Sequence, residues 1–242
     1  MIDNHAHIGW YSDGYHSPKE VWQAEMEAGI DEIAVSSTST CAELYKLVIK
    51  EMRELLRLGG SRIHPLLWIT PRMMKTWGIS YMLHSRIKWE GVKLHWKAHR
   101  EWFYNRKLLH NALEVARWLK VPVLLHTGDF KECHASVFLD VCDKYNDLVF
   151  VFAHGCPINE TIDVLKNCDN TYVDTAFMPI KNIKLLCENG FTHRILFGTD
   201  APINQIFYKH MSTSEYIQDN IIKLKDTLSP FSFDIIVSNK IY

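Results

Sequence analysis

The chain alternates short apolar runs with longer stretches in which apolar residues recur every three to four positions. Short apolar runs bounded by polar residues predict buried strands, and the three-to-four spacing predicts helices with one apolar stripe. Strands are predicted at residues 2–7, 31–36, 63–69, 91–95, 121–126, 148–153, 171–175 and 194–199. The helices between them should cover a sheet.

The first predicted helix carries its own start and stop signals. Ser17 is the expected N-cap, Pro18 takes the first helical position and Glu20 the third, which together form a capping box. Gly29 follows where the chain must turn out of the helix. These signals place the helix directly after the first strand and its loop.

Eight strand–helix units fit into 242 residues, because each unit then has about 30 residues, the size of a βαβ repeat. We therefore predict an α/β protein, a (β/α)8 TIM barrel, built as a single domain of residues 1–242. No Gly/Ser linker, Pro-rich stretch or block of like charge divides the chain. A doubly wound open sheet is the alternative, and its first and last strands would usually lie too far apart to share a site.

Composition narrows the range of partners. A net charge of −1 and a pI of about 6.9 leave no basic footprint for nucleic acid or for an anionic membrane surface. No apolar run approaches the roughly 18 residues that cross a bilayer, and the first strand follows Met1 too closely for a signal peptide. We expect a cytoplasmic protein with a small-molecule substrate and no nucleic-acid or membrane partner, and the sequence leaves a homo-oligomer open.

Five residues that can bind a metal or carry a proton stand where predicted strands end: His5, His7, His126, His154 and Asp200. In a barrel the carboxyl ends of all strands meet at one mouth, where barrel enzymes keep their chemistry. Side chains two apart on a strand share a face, so His5 and His7 point the same way. Their Cα atoms should be about 6.6 Å apart, a span that two imidazoles on one ion can bridge. Two histidines held by structural hydrogen bonds are the alternative for this pair.

These residues lie in segments that resemble the amidohydrolase superfamily of metal-dependent barrels. The family pattern is His-x-His after strand one, a histidine after strands five and six, and an aspartate after strand eight; the matching segments are IDNHAH, GVKLH, LLHTGD, FAHG and LFGTDAP. They look most like the branch that includes aminocarboxymuconate-semialdehyde decarboxylase and related lactonases. The resemblance implies that His5, His7, His126 and Asp200 bind a metal and that His154 is a general acid/base. A core histidine on a buried strand is the alternative for His154.

The ligand set that the resemblance implies suits one divalent metal ion. Imidazoles with one carboxylate favour zinc, with iron, manganese or nickel as alternatives. A bound ion can activate a water for attack on a carbonyl, and Asp200 or His154 would take the proton. Four protein ligands exceed the usual three of a catalytic zinc site, so Asp200 either completes a five-coordinate ion or acts mainly as a base.

Lys93 and His95, at the end of the fourth predicted strand, have several interpretations. Binuclear members of the superfamily carry a carboxylated lysine on this strand, whereas the GVKLH segment looks more like the branch with one metal, which we favour. Either residue could contact a substrate oxyanion. A lysine that extends from the barrel mouth into water is the alternative for Lys93.

Four further residues are candidates for supporting roles. Asp3 shares a face with the first two histidines and could orient a ligand imidazole, as could Asp174 near the end of the seventh strand. A structural hydrogen bond is the alternative for both. The loops after strands one and three offer Trp10 for an aromatic wall and Arg72 as a carboxylate anchor, or as ordinary surface residues.

We predict a metal-dependent hydrolase in which an ion-activated water attacks the ester, lactone or amide carbonyl of a small molecule, with His154 as acid/base. A metal-dependent non-oxidative decarboxylase of a small aromatic or unsaturated carboxylic acid would use the same groups and is the alternative. A second alternative is a catalytically silent scaffold that keeps the metal.

Overall fold

Eight parallel strands form where the apolar runs predict them. The computed structural model describes residues 1–128 and 130–242. The strands are β1 (Ile2–Tyr11), β2 (Gly14–His16), β3 (Glu32–Ser37), β4 (Ile63–Trp68), β5 (Gly91–Leu94), β6 (Val123–His126), β7 (Phe150–Ala153), β8 (Thr171–Asp174) and β9 (Ile195–Leu196). All but the short β2 correspond to predicted strands, because each apolar run marks the buried part of a strand.

Helices alternate with these strands along the chain. They are α1 (Pro18–Glu27), α2 (Tyr45–Gly59), α3 (Pro71–Lys75), α4 (Gly78–Leu83), α5 (Glu101–Tyr104), α6 (Arg106–Leu119), α7 (Leu139–Lys144), α8 (Ile158–Asn167), α9 (Ile180–Glu188), α10 (Asn204–Phe207), α11 (Thr213–Thr227) and α12 (Pro230–Ser238). The predicted capping box of α1 is confirmed, since the side chain of Ser17 accepts from Glu20 N and the Glu20 side chain accepts from Ser17 N. In the described part of the chain, none of the helices has the length and apolar content to cross a membrane.

The strands form one mixed sheet in the order β2-β1-β3-β4-β5-β6-β7-β8-β9. Every neighbouring pair from β1 and β3 onward is parallel, and only β2 pairs antiparallel, with β1. β1 also meets the chain that follows β9. Asn4 N donates to Phe197 O at 2.9 Å, Asp200 N to His5 O at 2.7 Å, and His7 N to Ala201 O at 2.7 Å. These bonds bring the first strand beside the end of the last one.

β2 is a feature that was not predicted, because the sequence pattern indicates a loop at residues 9–17. The segment forms a hairpin in which Trp10 pairs with Tyr15, and their rings pack with centroids 5.3 Å apart. Gly9 permits the approach of this hairpin to the turn that follows β3: a Cβ on Gly9 would lie 2.5 Å from Ser39 Oγ, and its φ is +100°. The aromatic cross-strand pair therefore stabilises the part of β1 that extends beyond its pairing with β3.

The inner face of the sheet carries apolar side chains in the lower part of the strands and polar side chains above them, at the carboxyl ends. Small and branched side chains pack there in one cluster: Ala34, Leu66, Leu124, Val151, Ala153 and Leu196. Two residues further along β3, β4 and β6, the same face carries Ser36, Trp68 and His126, because side chains alternate along a strand. The apolar cluster thus forms a dry floor beneath the polar residues at the carboxyl ends of the strands.

Candidate metal centre

Three of the predicted ligands converge at the carboxyl ends of the strands. His5 Nε2 and His7 Nε2 lie 3.2 Å apart, and Asp200 Oδ1 lies 3.3 Å from His5 Nε2 and 2.8 Å from His7 Nε2. All three residues are buried. Atoms that bind one zinc ion at about 2.0–2.2 Å lie roughly 3–3.6 Å from one another. The triad of His5, His7 and Asp200 therefore fits a single divalent ion.

The backbone explains why these side chains meet. Alternation along β1 directs His5 and His7 to one face, as the sequence analysis predicts. Asp200 reaches them from the other end of the sheet, because its N–H donates to His5 O. Its φ of +60° lies in the left-handed region, which aspartate tolerates better than most residues.

Other side chains orient both imidazoles from behind. Asp174 Oδ2 lies 2.8 Å from His5 Nδ1, and Ser36 Oγ lies 2.9 Å from His7 Nδ1. Both contacts engage Nδ1, so Nε2 of each ring is left for an ion. Asp174 Oδ1 meanwhile accepts from the backbone N–H of His154 and Ala176 at 2.9 and 3.1 Å. Asp174 therefore takes the orienting role that the sequence analysis offered for it.

Asp3 takes the structural alternative considered for it and does not orient an imidazole. Its carboxylate accepts from His5 N at 2.9 Å, from Thr199 N at 3.1 Å and from the Thr199 hydroxyl. It thus ties the backbone of β1 to the segment that carries Asp200, and these bonds go to backbone and hydroxyl groups instead of an imidazole. Burial raises the pKa of Asp3 to about 7.

The electrostatics of the triad favour a cation. Burial, with the nearby charge of Lys93, holds the pKa of His5 well below its usual value, so the ring is neutral and its Nε2 lone pair can bind a metal. Burial alone would raise the pKa of Asp200, but its contacts with His5 and His7 outweigh that effect and hold the pKa below its usual range. Asp200 is therefore ionised near neutral pH.

Lys93 reaches into the triad from β5. It is buried, and its Nζ lies 2.9 Å from His5 Nε2. Burial lowers the pKa of Lys93 to about 8. Because Nζ faces the nitrogen that would bind an ion, Lys93 must lose its charge or move aside when a cation enters.

His126 and His154 stand beside the triad. The two rings meet edge to face with centroids 5.0 Å apart. His154 Nε2 lies 3.9 Å from Asp200 Oδ2, and the backbone of His154 has a φ of +71°. His126 Nε2 is buried and has no hydrogen-bond partner among the described residues. Burial holds the pKa of His126 well below its usual value. Its nitrogen is not part of the compact triad, whose atoms lie within 4.8 Å of one another.

A cavity of about 980 Å³ opens above the triad. His126, His154 and Asp200 form part of its base. Its wall includes aromatic side chains and two lysines, which lie on loops or near the ends of strands and helices: Tyr11, Phe130, Phe177, Phe207, Tyr208, Lys97 and Lys181. Asp200 is the one carboxylate among the described lining residues. Most of these residues were not predicted from the sequence, because loops and element ends carry no periodic signal that would single them out.

Trp10 and Arg72 lie away from this cavity. Trp10 is half exposed on the hairpin and packs on Tyr15. Arg72 binds Glu43 at 2.9 Å and lines a separate surface depression beside Trp77. Neither residue is among those that line the cavity above the triad, because α3 turns Arg72 outward. Tyr11, next to Trp10, is the residue of that hairpin that reaches the cavity.

Asp174→Asn should lower zinc affinity by about 10- to 100-fold, the usual effect of removing a group that orients a metal ligand. The carboxylate accepts hydrogen bonds at both oxygens, whereas an amide can accept at only one. Either His5 Nδ1 or the backbone N–H groups would then face an NH2. Competition with a chromophoric chelator measures the affinity. Asp163→Asn, at an exposed position of α8, is the matched control, and equal affinities for the two variants would contradict the orienting role.

Solved structures show the same fold at low sequence identity. A probable 2-pyrone-4,6-dicarboxylic acid hydrolase from Acinetobacter baumannii, with citric acid bound, is 14% identical with a TM-score of 0.65, and the match covers 98% of this chain and 95% of that one. 4-Oxalomesaconate hydratase from Rhodopseudomonas palustris is 13% identical with a TM-score of 0.63, covering 99% and 94%. 5-Carboxyvanillate decarboxylase from Novosphingobium aromaticivorans, complexed with manganese and a substituted nitrobenzoic acid, is 10% identical with a TM-score of 0.62, covering 90% and 77%. No curated protein matches the sequence.

A family model described as Amidohydrolase matches residues 86–210. The matched segment carries Lys93, His126 and His154, whereas the two triad histidines on β1 lie outside it. The resemblance predicted from the strand-end residues is therefore confirmed by an independent comparison. Because the match spans more than half of the chain, this protein belongs to the amidohydrolase family, whose members are metal-dependent enzymes.

Proposed function

We propose that this enzyme is a metal-dependent hydrolase that cleaves an ester, lactone or amide bond of a small molecule. The observation that carries the proposal is the triad of His5, His7 and Asp200, whose ligand atoms lie 2.8–3.3 Å apart at the base of a cavity. We also propose that residues 1–242 form one domain whose sheet closes into a complete (β/α)8 barrel. The backbone bonds between β1 and residues 197–201 support that closure. The cytoplasmic location and a homo-oligomer stay predictions.

One zinc ion is the cofactor that this donor set suits best, with iron, manganese or nickel as alternatives. When bound, such an ion lowers the pKa of a water and polarises a carbonyl. His5, His7 and Asp200 would hold it. The buried and unpartnered Nε2 of His126 supports that residue as a further ligand, since a buried polar atom without a partner is costly unless a ligand satisfies it.

His154 is the proposed general acid/base. Its Nδ1 lies 3.0 Å from Ala176 O, which can only accept, so Nδ1 carries the ring proton. Nε2 therefore presents a lone pair toward the cavity and toward Asp200 Oδ2. That nitrogen can take a proton from the attacking water and return it to the leaving group. The left-handed backbone of His154 supports a functional position, because such strain tends to persist at active sites.

A non-oxidative decarboxylase of a small aromatic or unsaturated carboxylic acid is the second candidate. The cavity wall favours an anionic substrate, since Lys97 and Lys181 line it and neither has an ion-pair partner among the described residues. Phe130 and Phe177 offer flat apolar surface. The similar 5-carboxyvanillate decarboxylase, a manganese complex, supports this candidate as well. Carbon dioxide release separates decarboxylation from hydrolysis.

His154→Asn should lower kcat by about 10²- to 10⁴-fold while the metal content stays that of the wild type, because the variant loses only proton transfer. The assay is a panel of esters, lactones, amides and carboxylic acids with zinc-loaded enzyme, and elemental analysis gives the metal content. His84→Asn is the control, since His84 is an exposed histidine on the outer surface. Wild-type turnover in His154→Asn would refute the acid/base role. Metal without turnover in the wild type would favour the silent scaffold.

Lys93→Met distinguishes one ion from two. If the enzyme binds one ion at the triad, the variant should still bind one equivalent of zinc at least as tightly as the wild type, because a positive charge beside His5 Nε2 is removed. Isothermal titration and elemental analysis measure affinity and stoichiometry. Lys97→Met, at an exposed position of the cavity wall, controls for loss of a lysine. Two equivalents in the wild type and a loss of one in Lys93→Met would instead indicate a lysine-bridged pair of ions.

A further inference from the structure

His95 is held between two rings at the wall of the candidate site. The indole of Trp68 stacks on one side with centroids 5.4 Å apart and planes 7° apart. The imidazole of His126 stacks on it as well, with centroids 3.8 Å apart and planes 15° apart. Because its faces are stacked, the ring cannot turn freely, and only its edge is left for polar contacts.

One edge nitrogen of His95 is already engaged. The backbone N–H of Ala98 donates to His95 Nδ1 at 3.1 Å. A nitrogen that accepts a hydrogen bond carries a lone pair, so the proton of the neutral ring lies on Nε2. Nε2 has no hydrogen-bond partner among the described residues, yet it is not enclosed. The His95 ring thus has one unpaired polar atom, Nε2. This nitrogen is a donor, because the hydrogen bond to Nδ1 fixes the tautomer of the ring.

The ring borders the place where chemistry would occur. His95 lines the cavity of about 980 Å³ above the triad. It also lines a smaller cavity of about 20 Å³, together with His7, His154 and Asp200. A substrate group that enters from the large cavity toward the triad therefore passes this donor.

We propose that His95 is a catalytic residue that donates a hydrogen bond from Nε2 to the substrate oxygen on which negative charge develops. The inference rests on the proposed hydrolase function and assigns a role within the same site. His95 keeps its proton throughout, and no bond to it forms or breaks. One well-placed donor to a developing oxyanion commonly contributes about 10²- to 10³-fold in kcat.

Two imidazoles at the site then have opposite tautomers and opposite tasks. His154 has its proton on Nδ1, bound to Ala176 O, and presents a lone pair at Nε2. His95 accepts at Nδ1 and presents an N–H at Nε2. Lys93, the other donor nearby, already contacts His5 Nε2. A neutral donor also adds no positive charge beside a bound cation, which a second lysine would.

Two substitutions separate donation from packing. His95→Phe keeps an aromatic ring in the stack but has no donor. His95→Gln gives up the ring, and its side-chain amide retains an N–H near the position of Nε2. We expect His95→Phe to lower kcat about 10²- to 10³-fold with a much smaller change in KM, and His95→Gln to recover at least a tenth of wild-type kcat. A residue that only supports packing would give the reverse order, with His95→Phe close to wild type, and that result would overturn the proposal.

A spectroscopic readout tests the tautomer without any turnover. Long-range 1H–15N correlation spectra of zinc-loaded, 15N-labelled enzyme should show His95 protonated at Nε2 and bare at Nδ1, with the signal assigned by its loss in His95→Gln. Protonation at Nδ1 would overturn the proposal. The kinetic substrate is any member of the panel that the wild type converts. Failure of the wild type on the whole panel removes the hydrolase function itself, whereas wild-type turnover with undiminished kcat in His95→Phe removes only the role of His95.

Discussion

Backbone hydrogen bonds between β1 and residues 197–201 hold together the two parts of the chain that supply the triad. His5 and His7 come from the first strand and Asp200 from the end of the last one, so the ligand atoms meet only if these strands lie side by side. Gly198 makes the approach possible, because a Cβ there would lie 3.1 Å from the Cβ atoms of both His5 and Asp174. A carboxylate reinforces the junction, since Asp3 accepts from His5 N on β1 and from Thr199 N in the segment after β9.

The apolar and polar layers of side chains on the inner face explain why the polar groups of the triad are available to bind a cation. Apolar side chains pack on the sheet below the triad and exclude water from beneath it, and burial holds the pKa of His5 well below its usual value. Each polar group at the boundary is then held by a specific partner: His5 by Asp174, His7 by Ser36. Lone pairs are thereby directed to one point, which is the arrangement that a divalent cation requires. His126 Nε2, which has no such partner among the described residues, belongs to a residue that lines the cavity.

Much of the fold could be predicted from periodicity, and part of the site from strand-end positions. Strand ends locate His5, His7 and Asp200, because functional side chains of parallel α/β sheets gather at the carboxyl ends of the strands. The tasks of Asp3 and Asp174 were not separable in advance, because both are inward-facing aspartates and only coordinates show which one reaches an imidazole. Arg72 was misleading for a related reason: it follows the third predicted strand, but α3 starts there and carries it to Glu43. The stack of His95 on His126 depends on ring orientation, which spacing along the chain does not encode.

The position of the bound metal tests the central claim most directly. Crystals of zinc-loaded protein, measured at the zinc absorption edge, should give one anomalous peak at about 2.0–2.2 Å from His5 Nε2, His7 Nε2 and a carboxylate oxygen of Asp200. Such a peak would establish that the two ends of the sheet share one ion. A peak elsewhere on the molecule, or none between these three side chains in fully loaded protein, would contradict the account.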